Sequence, residues 1–441
     1  MALRQSEIQI WQPECECMAQ DQIRALQLQR LRDMVEHLRA RVPFYRERLE
    51  KAGVGPDSIR SLDDVRRIPF TTKNDLREHY PYGLLACPLS EVARIHASTG
   101  TTGQPTVVAY TRRDLETWSN LVARFVVAAG VRSDDIVHIA FSYGLFTGGF
   151  GLHYGIERMG AAIIPVAAGN TERQVRILKE FRPTALVCTP SYSLHIAEVM
   201  ASMGVTPKDI ALRVGMFGAE FWSESLRREI ETRLGLSATD NYGLSEVIGP
   251  GVAGECVYKN GMHMQEDHFL VEHINPDTEE PAAPGEMGEL VITPLTREAF
   301  SVLRYRTRDL CTLIDEPCPC GRTTRRMTKV IGRTDDMLIV RGVNLFPSQV
   351  ETVLLEMGGM EPHYEIIVGR EGAMDEMEIK VEMPPEIFSD KMKEMHRFER
   401  DLEKRLQTML GVSFKLTLVE PRTIERSMGK AKRVIDLRRK S

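Results

Sequence analysis

Residues 171–190 read TERQVRILKEFRPTALVCTP: a charged stretch of helical character, a proline, then a short apolar run closed by a second proline. The pattern recurs outward from there. DIVHIAF (135–141), AAIIPVA (161–167) and LRVGMFG (212–218) are further apolar runs, and SESLRREIETRLG (223–235) is a further helical stretch. Runs without polar alternation suit strands covered on both faces, and their alternation with helices predicts βαβ units around a largely parallel sheet. The expected fold class is α/β. Ligands of such sheets gather beyond the carboxyl ends of the strands, where GAEFW (218–222) and NYGLSE (241–246) stand.

The flanks differ in texture. Between residues 21 and 50, Ile23, Leu26, Leu28, Leu31, Val35 and Leu38 recur at helical spacing until Pro43 interrupts them. After residue 285, GELVITPL and SVLRYRTRDLCTLI suggest antiparallel strands. Beyond them come a helix near 347–357, strands YEIIVG and EMEIKVEM, a charged helix near 388–410 and a strand FKLTLVE, the pattern of a smaller α+β domain of about a hundred residues. The expected division is a large multi-layer N-terminal domain over 1–333 and a C-terminal domain over 334–441.

At 441 residues the chain exceeds what one core serves. Its 27% charged residues and net charge of −5 mix both signs, and only the tail KAKRVIDLRRK is markedly basic, so neither nucleic acid nor an acidic membrane is an expected partner. There is no run of eighteen apolar residues, and the N-terminal MALRQSEIQIWQPECEC lacks the apolar core of a secretion signal. A cytoplasmic location is expected, and eight cysteines are too few for a disulfide scaffold.

One segment is neither strand nor helix. In ARIHASTGTTGQPTVVAYT (93–111), Ser98, Thr99, Thr101 and Thr102 interleave with Gly100 and Gly103 between two strand-like flanks. Such a loop is either a surface turn or a nest of N–H and hydroxyl donors around an anion. The Lys-Ser or Lys-Thr pair of a P-loop is missing, Gln104 and Pro105 standing there instead.

A second cluster is formed by ECVYKNGMH and EPCPCGR, which supply Cys256, His263, Cys318 and Cys320. Two short Cys/His pairs suit a closed tetrahedral Zn2+ site of structural kind, although Cys-x-Cys is a tight spacing. Unrelated thiols are the alternative, and His268 in EDHF is the competing imidazole. Cys15 and Cys17 read as coincidence in a disordered terminus.

Taken in order, STGTTGQPT (98–106), NYGLSE, YRTRDL (305–310), GRTDD (332–336) and SMGKAKR (427–433) resemble the adenylate-forming superfamily of acyl-CoA ligases. VPFYRERLEKAGV, IPFTTKNDLR, YGLFTGGFGLHYG, GNTERQ and EDHF extend the likeness to the phenylacetate-CoA ligase family over nearly the whole chain. The resemblance implies ATP-dependent ligation of an aryl or arylacetic acid to coenzyme A through an acyl-adenylate, releasing AMP and pyrophosphate. Adenylation of another acid or cofactor, loading of a carrier protein, and a catalytically dead binding module are the alternatives.

The resemblance also implies roles. The 98–103 loop would grip ATP phosphates, with Gln104 where the family has lysine. Glu246 would hold Mg2+, and Tyr242 would stack on adenine. Gly218, Ala219 and Glu220 would wall the base pocket beside Asn241 and Gly243. Asp309 would bind the ribose hydroxyls with Arg333 adding a contact, and Lys430 would meet the α-phosphate. Asp335 would be the hinge of a mobile C-terminal domain, and Gly342 would line the path of CoA. Tyr143, Phe146, Gly148 and Ala219 would form the aryl pocket, with Phe141 and Tyr154 ordinary core. The partners implied are a carboxylic acid and CoA, with a homodimer left open.

Overall fold

The computed structural model describes residues 8–98, 105–334, 338–341, 343–357, 363–371, 374–383, 392–426 and 433–438. Its central sheet has nine strands, and the four apolar runs form four of the five strands of its parallel part. Ile136–Ile139 pairs on one side with Ala162–Pro165 and on the other with Ala185–Cys188. Val214–Gly218 and Ser237–Leu244 follow, all parallel. Gly249–Glu255, Met262–Met264, Arg326–Met327 and Leu313–Ile314 extend the sheet antiparallel.

Alternate residues of one strand serve opposite layers, as the period-two pleat requires. Val187 and Met216 join the core under the Arg112–Ala128 helix, whereas Leu186, Cys188 and Phe217 join a second core under the helices Thr171–Glu180, Pro190–Ser202 and Glu224–Leu234. Double coverage fails only for AAIIPVA. Its strand is the sheet edge, with Ala162 and Pro165 exposed.

The later strands are antiparallel, as expected. Phe269–Ile274, Gly288–Pro294, Tyr305–Cys311 and Gly332–Arg333 form a second sheet in that order. Residues 338 onward have their own core, around the hairpin Tyr364–Glu371 and Met374–Glu382 and the helices Pro347–Glu356 and Met392–Leu410. Lys415–Val419 and Val434–Asp436 flank that hairpin in parallel. The basic tail thus carries a strand.

Near the N-terminus the amphipathic pattern folds as Gln20–Arg41, and Pro43 begins a new helix, Pro43–Lys51, as first-turn prolines do. Two expectations are corrected here. Cys15 and Cys17 do not lie in a disordered end: Pro13–Glu16 is a helical turn, fixed by a buried Glu16–Arg322 pair at 2.6 Å and by Thr323 N donating to Glu16 O at 3.0 Å. Tyr154 is not core, being 39% exposed with the Arg94 guanidinium over its ring, although Phe141 is buried. Among the described residues no helix is long and apolar enough to cross a membrane.

Candidate active site

The flanks of the Gly/Ser/Thr loop, Arg94–Ala97 and Val107–Tyr110, pair antiparallel. Ser98 closes the hairpin, its N–H donating to Thr106 O at 2.9 Å and its Oγ accepting from Thr106 N at 3.0 Å. Thr99, Gly100, Thr101, Thr102, Gly103 and Gln104 lie outside the described residues, as do Asp335, Gly342 and Lys430.

At the carboxyl end of the parallel sheet Gly218 sits opposite Asn241. A Cβ on Gly218 would stand 2.6 Å from Asn241 O, so close approach of the two strands demands glycine there. Asn241 Nδ2 donates to Phe217 O at 2.6 Å. Ala219 then turns left-handed at φ +68° and is exposed. The Glu220 carboxylate accepts from Ser191 N and Oγ at 3.1 and 2.6 Å. Its side chain is therefore tied to the start of the Pro190–Ser202 helix. A register shift falls between Tyr242 and Gly243; Gly243 pairs with Pro250, and a Cβ on it would meet Gly249 O at 2.0 Å.

Three distant motifs meet at Asp309. Its Oδ2 accepts from the Tyr242 hydroxyl at 2.5 Å and its Oδ1 from Arg333 Nη1 at 3.2 Å, with Asp309 and Arg333 in register on adjacent strands. Loss of water and the Asp309 charge push the Tyr242 hydroxyl well above its ordinary value, so it stays a donor.

The turn after Tyr242 carries Glu246, which is buried. Thr147 Oγ1 and Ser245 Oγ bond at 3.0 Å and fix this turn to the glycine-rich segment. Lys73 Nζ stands 3.6 Å from Glu246 Oε1 while remaining partly exposed. Sequence reasoning missed Lys73. Its only signal was membership of IPFTTKNDLR, and it opens a helix, Lys73–Glu78, capped by Thr72.

In the glycine-rich segment, the Phe146 ring lies where a Cβ on Gly148 would be, 2.7 Å from Phe146 Cε1. Tyr143 is half-buried, its hydroxyl 3.2 Å from His153 Nδ1, and burial pushes that hydroxyl up to about 12. Phe146 thus stands against Gly148, and the Tyr143 ring would lie 3.4 Å from a Cβ on Gly149; Ala219 follows the strand Val214–Gly218, separated from Ile136–Ile139 by Ala185–Cys188.

Away from this cleft, Cys256, His263, Cys318 and Cys320 are all buried, with ligand atoms within 4.8 Å of one another. Cys256 Sγ and Cys318 Sγ are 3.7 Å apart, and Cys320 Sγ lies 3.3 Å from His263 Nε2. Two sulfurs on one tetrahedral Zn2+, with bonds of about 2.3 Å, stand about 3.8 Å apart, so the donor set fits that ion. Hydrogen bonds from Cys256 and Cys318 push the Cys320 thiol below its ordinary value. His263 Nδ1 lies 3.3 Å from Thr324 Oγ1, the outer partner that orients a ligating imidazole. The competing His268 is engaged elsewhere, with Thr296 and Asp267.

Comparisons place this architecture. The AMP-binding enzyme family model matches residues 24–294, and the AMP-binding enzyme C-terminal domain matches 342–438. A phenylacetate-coenzyme A ligase of Thermus thermophilus is 49% identical over 98% of this chain and 100% of its own. One from Escherichia coli is 47% identical over 95% of each. A 2-hydroxyisobutyryl-CoA ligase solved in the postadenylation state with R3-HIB-AMP superposes at TM-score 0.91 and 31% identity, covering 97% of this chain and 92% of that one. The same ligase in the thioesterification state, with 2-HIB-AMP and CoA, gives TM-score 0.72 at the same coverage. The chain belongs to the AMP-binding enzyme family, among relatives that include the phenylacetate-coenzyme A ligases.

Proposed function

We infer that this enzyme ligates phenylacetate, or a close arylacetic acid, to coenzyme A at the expense of ATP. A carboxylate is a poor acyl donor because its oxygen leaves badly. Attack of that oxygen on the α-phosphorus of ATP forms an acyl-adenylate and expels pyrophosphate; the CoA thiol then attacks the acyl carbon and AMP leaves. Positioning and charge neutralisation carry the phosphoryl step. The observation behind this reading is the convergence of Tyr242, Asp309 and Arg333 beside Glu246 and Lys73, in a chain nearly half identical to phenylacetate-CoA ligases.

In this reading Asp309 and Arg333 hold the ribose, Tyr242 lies on the base, and residues 218–220 with Asn241 and Gly243 form the nucleotide wall. Ser98 through Gly103 contact the phosphates, with Lys73 supplying a cation that Gln104 does not. Glu246 would hold a Mg2+ ion, which neutralises charge on the departing pyrophosphate. Tyr143, Phe146 and Gly148 enclose the aryl ring. The Cys256, His263, Cys318 and Cys320 set would hold a structural Zn2+. A cytoplasmic location fits the use of ATP and CoA.

Lys430 would meet the α-phosphate from a C-terminal domain that begins at 334, turns about Asp335 and then offers the loop at Gly342 to CoA. The higher superposition on the postadenylation state than on the thioesterification state supports assigning the present arrangement to the first half-reaction. The test is AMP release with phenylacetate against octanoate: a higher kcat/KM for phenylacetate supports the aryl assignment, and equal or better turnover of octanoate removes it.

A further inference from the structure

The Pro190–Ser202 helix touches both domains. At its start, Ser191 binds Glu220 of the nucleotide wall. Seven residues on, about 10 Å along the axis, Glu198 faces the C-terminal domain. Its Oε1 accepts from His363 Nε2 at 2.8 Å, and its Oε2 stands 3.6 Å from Arg426 Nε. His195 of the same helix completes the surroundings, Nδ1 at 3.4 Å from Oε2.

The two C-terminal groups are themselves locked together. Glu382 accepts from Arg426 Nη1 and Nη2 at 2.8 Å each and from Ile424 N at 2.6 Å, and its own N–H donates to His363 O at 3.0 Å. His363, Glu382 and Arg426 therefore move as one unit. Leu355 of the C-terminal domain packs on the same core as Val199 and Met203, beside this contact. The Glu198 and His363 side chains are only 19% and 10% exposed, so water screens their attraction weakly.

Arg426 stands four positions before Lys430 in the sequence. We propose that Glu198 is a positioning residue: its carboxylate docks the C-terminal domain through His363 and Arg426 in the arrangement that forms the adenylate, and release of this contact accompanies the turn to thioester formation. The proposal rests on the two-state reading above. Glu198 touches no substrate in it.

The test separates the half-reactions. Glu198→Gln keeps the shape and removes the charge, so phenylacetate-dependent pyrophosphate exchange should fall about tenfold, the scale of one charged hydrogen bond. Thioester formation from supplied phenylacetyl-adenylate and CoA should stay within about twofold, since that state does not use the docked contact. Glu198→Asp, with the charge on a shorter arm, should recover part of the exchange. Limited proteolysis between the domains should be faster in Glu198→Gln than in wild type, a readout that needs no acid. His363→Gln weakens the contact from the other side and carries the same expectation should Glu198→Gln fail to fold. Equal loss in both half-reactions, or unchanged exchange with unchanged proteolysis, overturns the proposal. Faster proteolysis in a protein whose wild type ignores phenylacetate supports the docking role and overturns the substrate reading instead.

Discussion

The Tyr242 hydroxyl donates to Asp309 Oδ2 at 2.5 Å, joining the strand Ser237–Leu244 of the parallel sheet to the strand Tyr305–Cys311 of the antiparallel one. Arg333 occupies the other carboxylate oxygen, so Asp309 is held between a donor and a cation at the seam of two sheets. In the proposed function, a ribose hydroxyl binding there would meet a carboxylate already oriented.

Tyr242→Phe should therefore raise KM for ATP about threefold to tenfold, the worth of one hydrogen bond, with kcat changed less. Asp309→Ala should cost more, because it also leaves Arg333 without its carboxylate. Initial-rate kinetics with ATP varied at saturating acid measure both. Unchanged ATP dependence in the two variants would remove Asp309 from the nucleotide site.

Lys73 and Glu246 give a second expectation. Lys73→Met should slow adenylation about a hundredfold, the lower end of the loss when one preorganised donor is removed, and raise the Mg2+ dependence of the rate. Lys73→Arg should restore part of it. A rate within twofold of wild type would show that the 98–104 loop manages without this cation.

The alternation of helical stretches and apolar runs was enough to read the parallel sheet, because burial on both faces is written locally in each strand. Its edge was not legible: AAIIPVA is as apolar as its neighbours, and only the strand order shows that, among the described residues, no strand pairs with its far side. The strand Val434–Asp436 was hidden for a similar reason, as its partner Tyr364–Glu371 lies far back in the chain and its own surroundings are basic. Within the site, Asp309 and Arg333 were readable from their motifs through resemblance alone. Lys73 was not, since its meaning comes from Glu246, which only tertiary folding brings near. The cysteine cluster was legible in its four members, whereas the clamp of residues 9–20 on its 318–323 turn depends on Glu16 and Arg322, ordinary charges in sequence.

Zinc binding at that cluster is a direct expectation. Metal analysis should find about one zinc per chain, and Cys320→Ser should lose it and lower the thermal midpoint while leaving KM for ATP unchanged. Metal-free protein of undiminished thermal stability would contradict this.

A pH effect follows from Glu351, a buried acid on the Pro347–Glu356 helix whose Oε1 has no hydrogen-bond partner among the described residues. Burial raises its carboxyl from about 4.5 to about 7; Arg433, the Ser223 backbone and Lys329 pull the other way, and Glu220 adds to the rise. The docked domain thus holds a proton that the released one gives up. Docking is strongest below the solvated value and weakens as pH rises from about 4.5 through about 7. Interdomain proteolysis should quicken across that window in wild type and less steeply in Glu351→Gln, the His363–Glu198 contact keeping its own pH dependence. A flat profile in wild type would contradict the buried, protonated acid.

The acyl-adenylate route itself is tested most directly by oxygen transfer. Phenylacetate labelled with 18O in both carboxylate oxygens, incubated with ATP, Mg2+ and CoA, should yield AMP carrying a single labelled oxygen and unlabelled pyrophosphate, because the carboxylate oxygen that attacks the α-phosphorus leaves with AMP. Label in inorganic phosphate together with ADP, or no labelled AMP while phenylacetyl-CoA accumulates, would contradict the mechanism.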